Sequence, residues 1–202
     1  MSWLEFLVLC IVVEVTPGPN MGYLTSLSLA KGRRAGLLTV AGVAAGLSVH
    51  AVAAAFGLGY LVAASPIVYE TLRWGGIAFL VYLAIDGWRE AGSGGADAPE
   101  AKAGRHFLRG FVTNVLNPKS VLFFVTVVPR FVDPADPQPV LRLALLGATY
   151  VTVATAVHTA LVLAASTGER LLSASPRRVL VQRLLALSLI PIAVWLAFGT
   201  AR

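Results

Sequence analysis

Two short runs in this sequence combine prolines with groups able to hold a zwitterion. The first is Thr16-Pro17-Gly18-Pro19-Asn20, set inside an apolar stretch. Proline has no N–H, and its ring clashes with the carbonyl four residues back. Pro17 and Pro19 therefore release the carbonyls of Val13 and Val15, while Gly18 lets the chain bend between them. A released carbonyl in a membrane interior is costly unless it finds a partner, and an ammonium group is such a partner. Helix is expected to resume with Asn20 as its N-cap, presenting a positive end that attracts a carboxylate. The second run, Asn114-Val115-Leu116-Asn117-Pro118-Lys119, repeats the device. Pro118 releases the carbonyl of Asn114, two asparagine amides supply donors and acceptors, and Lys119 adds a cation. A helix kink with no ligand is the alternative reading of both runs.

Titratable groups also stand deep inside apolar stretches. Glu14 lies about eleven residues into its stretch and Lys119 about twelve, roughly 18 Å along a helix. Charged groups at such depth pair with one another or face water, and buried acids there often relay protons. Glu14 is expected to meet Lys119 if the two broken helices face each other, as a coupling pair or as a structural one. His50 and His158 hold central positions in two other stretches, and imidazole titrates near neutral pH. Each reads as a hydrogen-bonded packing residue or as a proton carrier. Asp86, close to Arg89, suits a surface ion pair as well as a coupling role. The coupling candidates are thus Glu14, His50, Asp86 and His158. Cys10 is the one cysteine, which excludes an internal disulfide and a paired-thiol redox centre. No metal set assembles at ligand spacing, and no cofactor is expected.

These residues need helices long enough to carry them across a bilayer. Of 202 residues, 57% are hydrophobic and 13% charged, and the mean hydropathy is +0.77. Average globular chains carry about 25% charge, so a soluble catalytic domain is excluded. A membrane span takes about 20 apolar residues, and six fit here with short connections. The expected spans are 3–27 (broken at 16–20), 35–64, 67–88, 107–128 (broken at 114–118), 143–168 and 184–201, the last interrupted by Pro191. Residues 31–34 form a basic connection, and 91–106, rich in Gly, Ala and charge, reads as a flexible linker. Strands are not required, so the class is an all-α integral membrane protein. Glycines at 36, 42, 46, 57 and 59 mark a face where helix backbones approach closely.

The formal charge is +6. Three connections carry most of it: Lys31, Arg33 and Arg34; Arg89, Lys102, Arg105 and Arg109; and Arg170, Arg177, Arg178 and Arg183. The opposite side has only Arg73, Arg130, Arg142 and Arg202. Basic loops stay in the cytoplasm, so both termini are expected outside. The two broken helices stand half a chain apart. Each half, 1–90 and 107–202, then holds three spans, and the odd number inverts the second half relative to the first. Broken helices at matching positions of inverted repeats point to a transporter's substrate site. The whole chain is read as a single transport domain.

Together these residues resemble the LysE-type amino-acid exporter family. The resemblance rests on the run 16–20, on Ala30-Lys31-Gly32-Arg33-Arg34-Ala35-Gly36-Leu37, on 114–119 followed by Leu122-Phe123-Phe124, and on Arg130-Phe131-Val132-Asp133-Pro134. It implies an exporter of amino acids or related small metabolites in the inner (cytoplasmic) membrane, driven by the proton gradient or by exchange. Its partners would be a small-molecule substrate, membrane lipid and a second copy in a homodimer, with no nucleic acid. Substrate contacts would come from Glu14, Thr16, Pro17, Gly18, Pro19, Asn20, Asn114, Asn117, Pro118 and Lys119. Asn20 departs from the family pattern, where aspartate is common, as do the acids Glu14 and Asp86. A passive small-solute channel or an exporter of other metabolites are the alternatives, and an enzyme is not expected.

Overall fold

The computed structural model describes residues 2–16, 18–57, 65–91, 99–133, 135–173 and 178–199, and every regular element among them is a helix. Helix α1 (Trp3–Val15) starts from a capping box. The Glu5 N–H donates to Ser2 Oγ at 3.2 Å, and the Ser2 N–H donates to the Glu5 carboxylate at 2.9 Å. It ends at Thr16, whose backbone is extended. Pro17 lies outside the described residues. Helix α2 (Pro19–Ala55) begins with Gly18 as its N-cap and Pro19 in the first turn, where a missing N–H costs nothing.

At 37 residues α2 would extend ~55 Å if straight. It is not straight. Gly32 has φ 81° and ψ −177°, a left-handed backbone that glycine alone adopts without strain. The chain folds back there: a Cβ added to Gly36 would collide with the Ser28 hydroxyl, although eight residues of continuous helix would hold the two residues ~12 Å apart. Lengths 19–31 and 33–55 therefore form a hairpin joined at one residue, where the sequence suggested a four-residue connection. Of the expected span 35–64, residues 58–64 lie outside the described residues. The second length ends at Ala55, and Gly57 turns the chain with φ 75°.

Helix α3 (Pro66–Glu90) is capped by Ser65, whose Oγ accepts from Val68 N. Helix α4 (Pro99–Val115) corrects the linker expected over 91–106, since its last eight residues are helical. Pro99 at the start and the alanines at 101 and 103 favour that outcome. Residues 92–98 lie outside the described ones. Helix α5 (Pro118–Leu122) runs on through a π-helical turn (Phe123–Val127) and a 3₁₀ turn (Val128–Phe131). This arm is bent by 49° from α4. Helix α6 (Pro139–Ser173) follows, then α7 (Arg178–Leu187) and α8 (Leu189–Gly199). The last break falls at Ser188 rather than at Pro191 itself, because Pro191 withholds the N–H that the Leu187 carbonyl would accept.

Pro19–Ala55, Pro66–Glu90, Pro139–Gly168 and Val179–Phe198 are each long and apolar enough to cross a membrane, and the bent pair Ala103–Val115 with Pro118–Phe131 makes a fifth. This is a multi-pass helical membrane protein. By length and composition alone this gives four or five spans, because α1, with 13 residues, is too short to span by itself and 19–31 joins 33–55 at the Gly32 fold-back without an intervening loop. Apolar groups face outward as lipid requires: on α1, Leu4, Val8, Ile11, Val12 and Val15 are exposed, while Phe6, Cys10 and Glu14 are buried. Length 33–55 packs backbone to backbone on α4. A Cβ on Gly42 would meet the Phe107 carbonyl, one on Gly46 the Phe111 carbonyl, and one on Gly110 the Thr39 carbonyl. Of the glycines expected on this face, Gly57 has open space and 59 is outside the described residues. On the other side of 33–55, Phe123 stacks on Tyr150 of α6 with centroids 3.9 Å apart. That stack seats the Tyr150 hydroxyl next to α1.

Candidate functional site

The two broken helices meet. Lys119, in the first turn of α5, sends its ammonium to the end of α1, where Nζ donates to the Val13 carbonyl at 2.5 Å and the Thr16 carbonyl at 2.8 Å. Val13 carries one of the carbonyls that proline releases, so a cation of the second break satisfies an acceptor of the first. The Lys119 side chain packs over Gly18, 3.4 Å from where a Cβ would stand, an ordinary contact distance. At the second break Asn117 is the N-cap of α5, and its Oδ1 accepts from the Lys119 N–H at 3.1 Å. The Asn114 carbonyl released by Pro118 accepts from the Asn117 N–H at 2.9 Å and from His50 Nε2 at 3.3 Å. His50 thus serves the backbone of the break.

Glu14 is buried and does not pair with Lys119. Its Oε1 accepts from the Tyr150 hydroxyl, and its Oε2 lies 3.1 Å from His158 Nε2. The physical reason is access: α6 packs along α1 and brings both groups onto the carboxylate, while the Lys119 ammonium is held by two carbonyls. Among the described residues no ion pair joins Glu14 to Lys119. Both nevertheless line one narrow cavity of about 10 Å³, room for about one water, together with Gly18, Asn20, Asn117 and His158.

Asn20 is another correction. Gly18 takes the cap, leaving Asn20 inside the helix with its amide turned to the cavity. Asn20 Oδ1, Asn114 Oδ1 and His158 Nδ1 are buried without a hydrogen-bond partner. Asn114 lies outside the cavity lining, but Asn20 and His158 belong to it; buried polar atoms are ordinarily satisfied, so these two bring unused capacity to the wall beside an acid and an ammonium. Thr16, in contrast, is exposed and spends its hydroxyl on the Val12 carbonyl at 2.7 Å. Pro19 and Pro118 are buried at the starts of their helices.

Asp86 does not pair with Arg89. It binds Arg109 of α4, which also lies 3.2 Å from Glu90. Glu90 in turn holds Lys31 and Arg105, each at 3.1 Å. Sequence reasoning passed over Tyr150, Arg109 and Glu90 as site residues. An arginine inside a polar span signals a buried partner, so Arg109 was findable. Tyr150 sits in a charge-free apolar run that gives no such sign.

Residues 11–200 match the family model described as LysE type translocator. The chain belongs to that family. The match spans both broken helices of the translocator, and the family's members are translocators rather than enzymes. The translocator is 33% identical over 159 residues to the homoserine/homoserine lactone efflux protein of Salmonella typhimurium, covering 78% of this chain and 77% of that protein. It is 33% identical over 153 residues to the Salmonella typhi protein of the same name, covering 75% and 74%. A membrane protein of Vibrio cholerae is also 33% identical, over 154 residues and with 75% and 74% covered. No solved structure matches the translocator.

Proposed function

We propose that this translocator exports small zwitterionic amino acids or closely related metabolites across the cytoplasmic membrane, binding them in the cavity between its broken helices. The observation that carries the reading is the seating of Lys119 on the Val13 and Thr16 carbonyls above a cavity that also holds Glu14 and the unpartnered Asn20 amide. A substrate ammonium competes for those carbonyls and releases Lys119 to the substrate carboxylate. The start of α2, with its free N–H groups, adds a second positive end. Coupling falls to Glu14 and His158: a buried acid touching an imidazole and facing the cavity can exchange a proton for the substrate ammonium. His50 and Asp86, engaged with the Asn114 carbonyl and Arg109, are weaker coupling candidates.

The architecture behind this reading is six spans in two inverted repeats. It is supported by the fold-back at Gly32, which makes two lengths of α2, and by the bend between α4 and α5. In both repeats a proline opens the helix after the break. The names of the Salmonella relatives favour homoserine-like substrates for this chain too. Overexpression with metabolite profiling inside and outside cells tests the proposal. Homoserine, threonine or a similar amino acid should accumulate outside and fall inside. An unchanged profile, with the protein present in the membrane, would reject export of this class.

A further inference from the structure

Tyr150 of α6 touches both halves of the proposed chemistry. The side chain is fully buried. Its hydroxyl donates to Glu14 Oε1, the oxygen opposite the one that His158 approaches. Its ring lies flat on Phe123, with centroids 3.9 Å and planes 20° apart, and meets Phe124 edge-on at 5.3 Å. Phe6 of α1 packs against the same Phe123 at 6.1 Å and against Phe131 at 4.9 Å. The phenol is therefore aimed at Glu14 by the arm that follows the second break.

That arm begins with Lys119, one helical turn before Phe123. The Phe123 N–H donates to the Lys119 carbonyl, and residues four apart share a helix face. Directly afterwards the arm widens into its π-helical turn, where the Val128 N–H reaches back to the Phe123 carbonyl. Thr126 spends its hydroxyl on the Leu122 carbonyl at 2.7 Å. Turns of this width are rare and recur at functional sites. This one falls where the arm grips the tyrosine ring. A displacement of Lys119 from the Val13 and Thr16 carbonyls thus reaches Phe123 within one turn, and Tyr150 through the stacked rings.

We propose that Tyr150 is a positioning residue for coupling, whose ring follows the arm and whose hydroxyl makes Glu14 hold its proton differently when Lys119 is seated and when it is displaced. Exchange needs such a difference, because two events are coupled only if each changes the free energy of the other. The proton that Glu14 gives up passes to water as the substrate ammonium arrives, and Tyr150 keeps its own. Glu14 is faced by Tyr150 and His158 from α6, by Lys119 from α5 and by Cys10 one turn back on α1. The inference rests on the proton-coupled export reading above.

The pH profile of uphill transport in proteoliposomes, with L-homoserine and L-threonine as cargo, tests it. The wild type should move at least one of them against its gradient with a measurable midpoint pH. Tyr150→Phe keeps the ring and its stack, and should move that midpoint by roughly 0.4–1 unit, the worth of one hydrogen bond. Phe123→Leu brings no polar atom near Glu14, yet should move the midpoint in the same direction. Phe123→Met takes its place if the leucine variant does not reach the membrane. The double variant should move it no further than Tyr150→Phe does, since both act through one bond. A lowered melting temperature with an unmoved midpoint makes Tyr150 a packing residue and overturns the inference, while the export reading stands. A midpoint that answers to Tyr150→Phe but not to Phe123, or shifts that add in the double variant, overturns the link to the arm and so the inference. Failure of the wild type to move either amino acid uphill overturns proton coupling and this inference together.

Discussion

Glu14 keeps two partners from α6 while Lys119, in the same cavity, is occupied by backbone carbonyls. The two charges are therefore held apart until something enters between them. Glu14→Gln keeps the shape and the hydrogen bond from Tyr150 but removes the titrating group. It should reach the membrane at the wild-type level, lose uphill export driven by a proton gradient in proteoliposomes, and retain substrate exchange. Wild-type uphill export by that variant removes Glu14 from coupling. Lys119→Met strands the Val13 and Thr16 carbonyls, at about 1–3 kcal/mol each. Its melting temperature should fall and its substrate binding should be lost together; binding at wild-type affinity would contradict the assignment of Lys119. Glu14 and Lys119 were legible in the sequence because a charge in an apolar run is an anomaly. Their actual partners were not, since Tyr150 is unmarked among apolar neighbours and a carbonyl has no letter of its own.

At the scale of elements, the broken helices were readable because proline acts locally: the breaks fall at 16–18 and 116–117, where the missing N–H groups put them. The hairpin at Gly32 was read as a longer connection because Lys31, Arg33 and Arg34 look like a loop, yet lysine and arginine are good helix formers. A single glycine with positive φ was enough to turn the chain. The glycine face of 33–55 makes a sharper claim. Gly42→Leu drives a side chain into the Phe107 backbone of α4 and should cost about 1–3 kcal/mol or more, seen as a lowered melting temperature and loss of monodispersity. Gly104→Ala, on the same α4 but with nothing within 4 Å of the added carbon, should be neutral or slightly stabilising. Equal effects of the two would mean that 33–55 and α4 do not touch as described.

For the whole molecule, the open question is which way it faces. By the positive-inside rule, the basic connections are expected to put 31–34 and the start of α4 in the cytoplasm and the N-terminus outside. On a Cys10→Ala background, Ser2→Cys should react with an impermeant maleimide in intact cells, and Gly104→Cys only after the membrane is opened. The opposite pattern would invert the orientation while leaving the fold untouched. Composition made membrane residence legible at once. The contacts of Arg109 with Asp86 and Glu90 were hidden, because they join residues about twenty positions apart across segments whose relative placement only packing decides.

The one-residue joint at Gly32 has a mechanical consequence. A loop between two helices is slack, and one helix can tilt while its neighbour stays still. A one-residue joint has little slack and pivots 19–31 about a point that stays attached to 33–55. A swing of 19–31 that uncovers Asn20 therefore pulls on the start of 33–55, which packs through its glycine face on α4. The two walls of the pathway share one pivot.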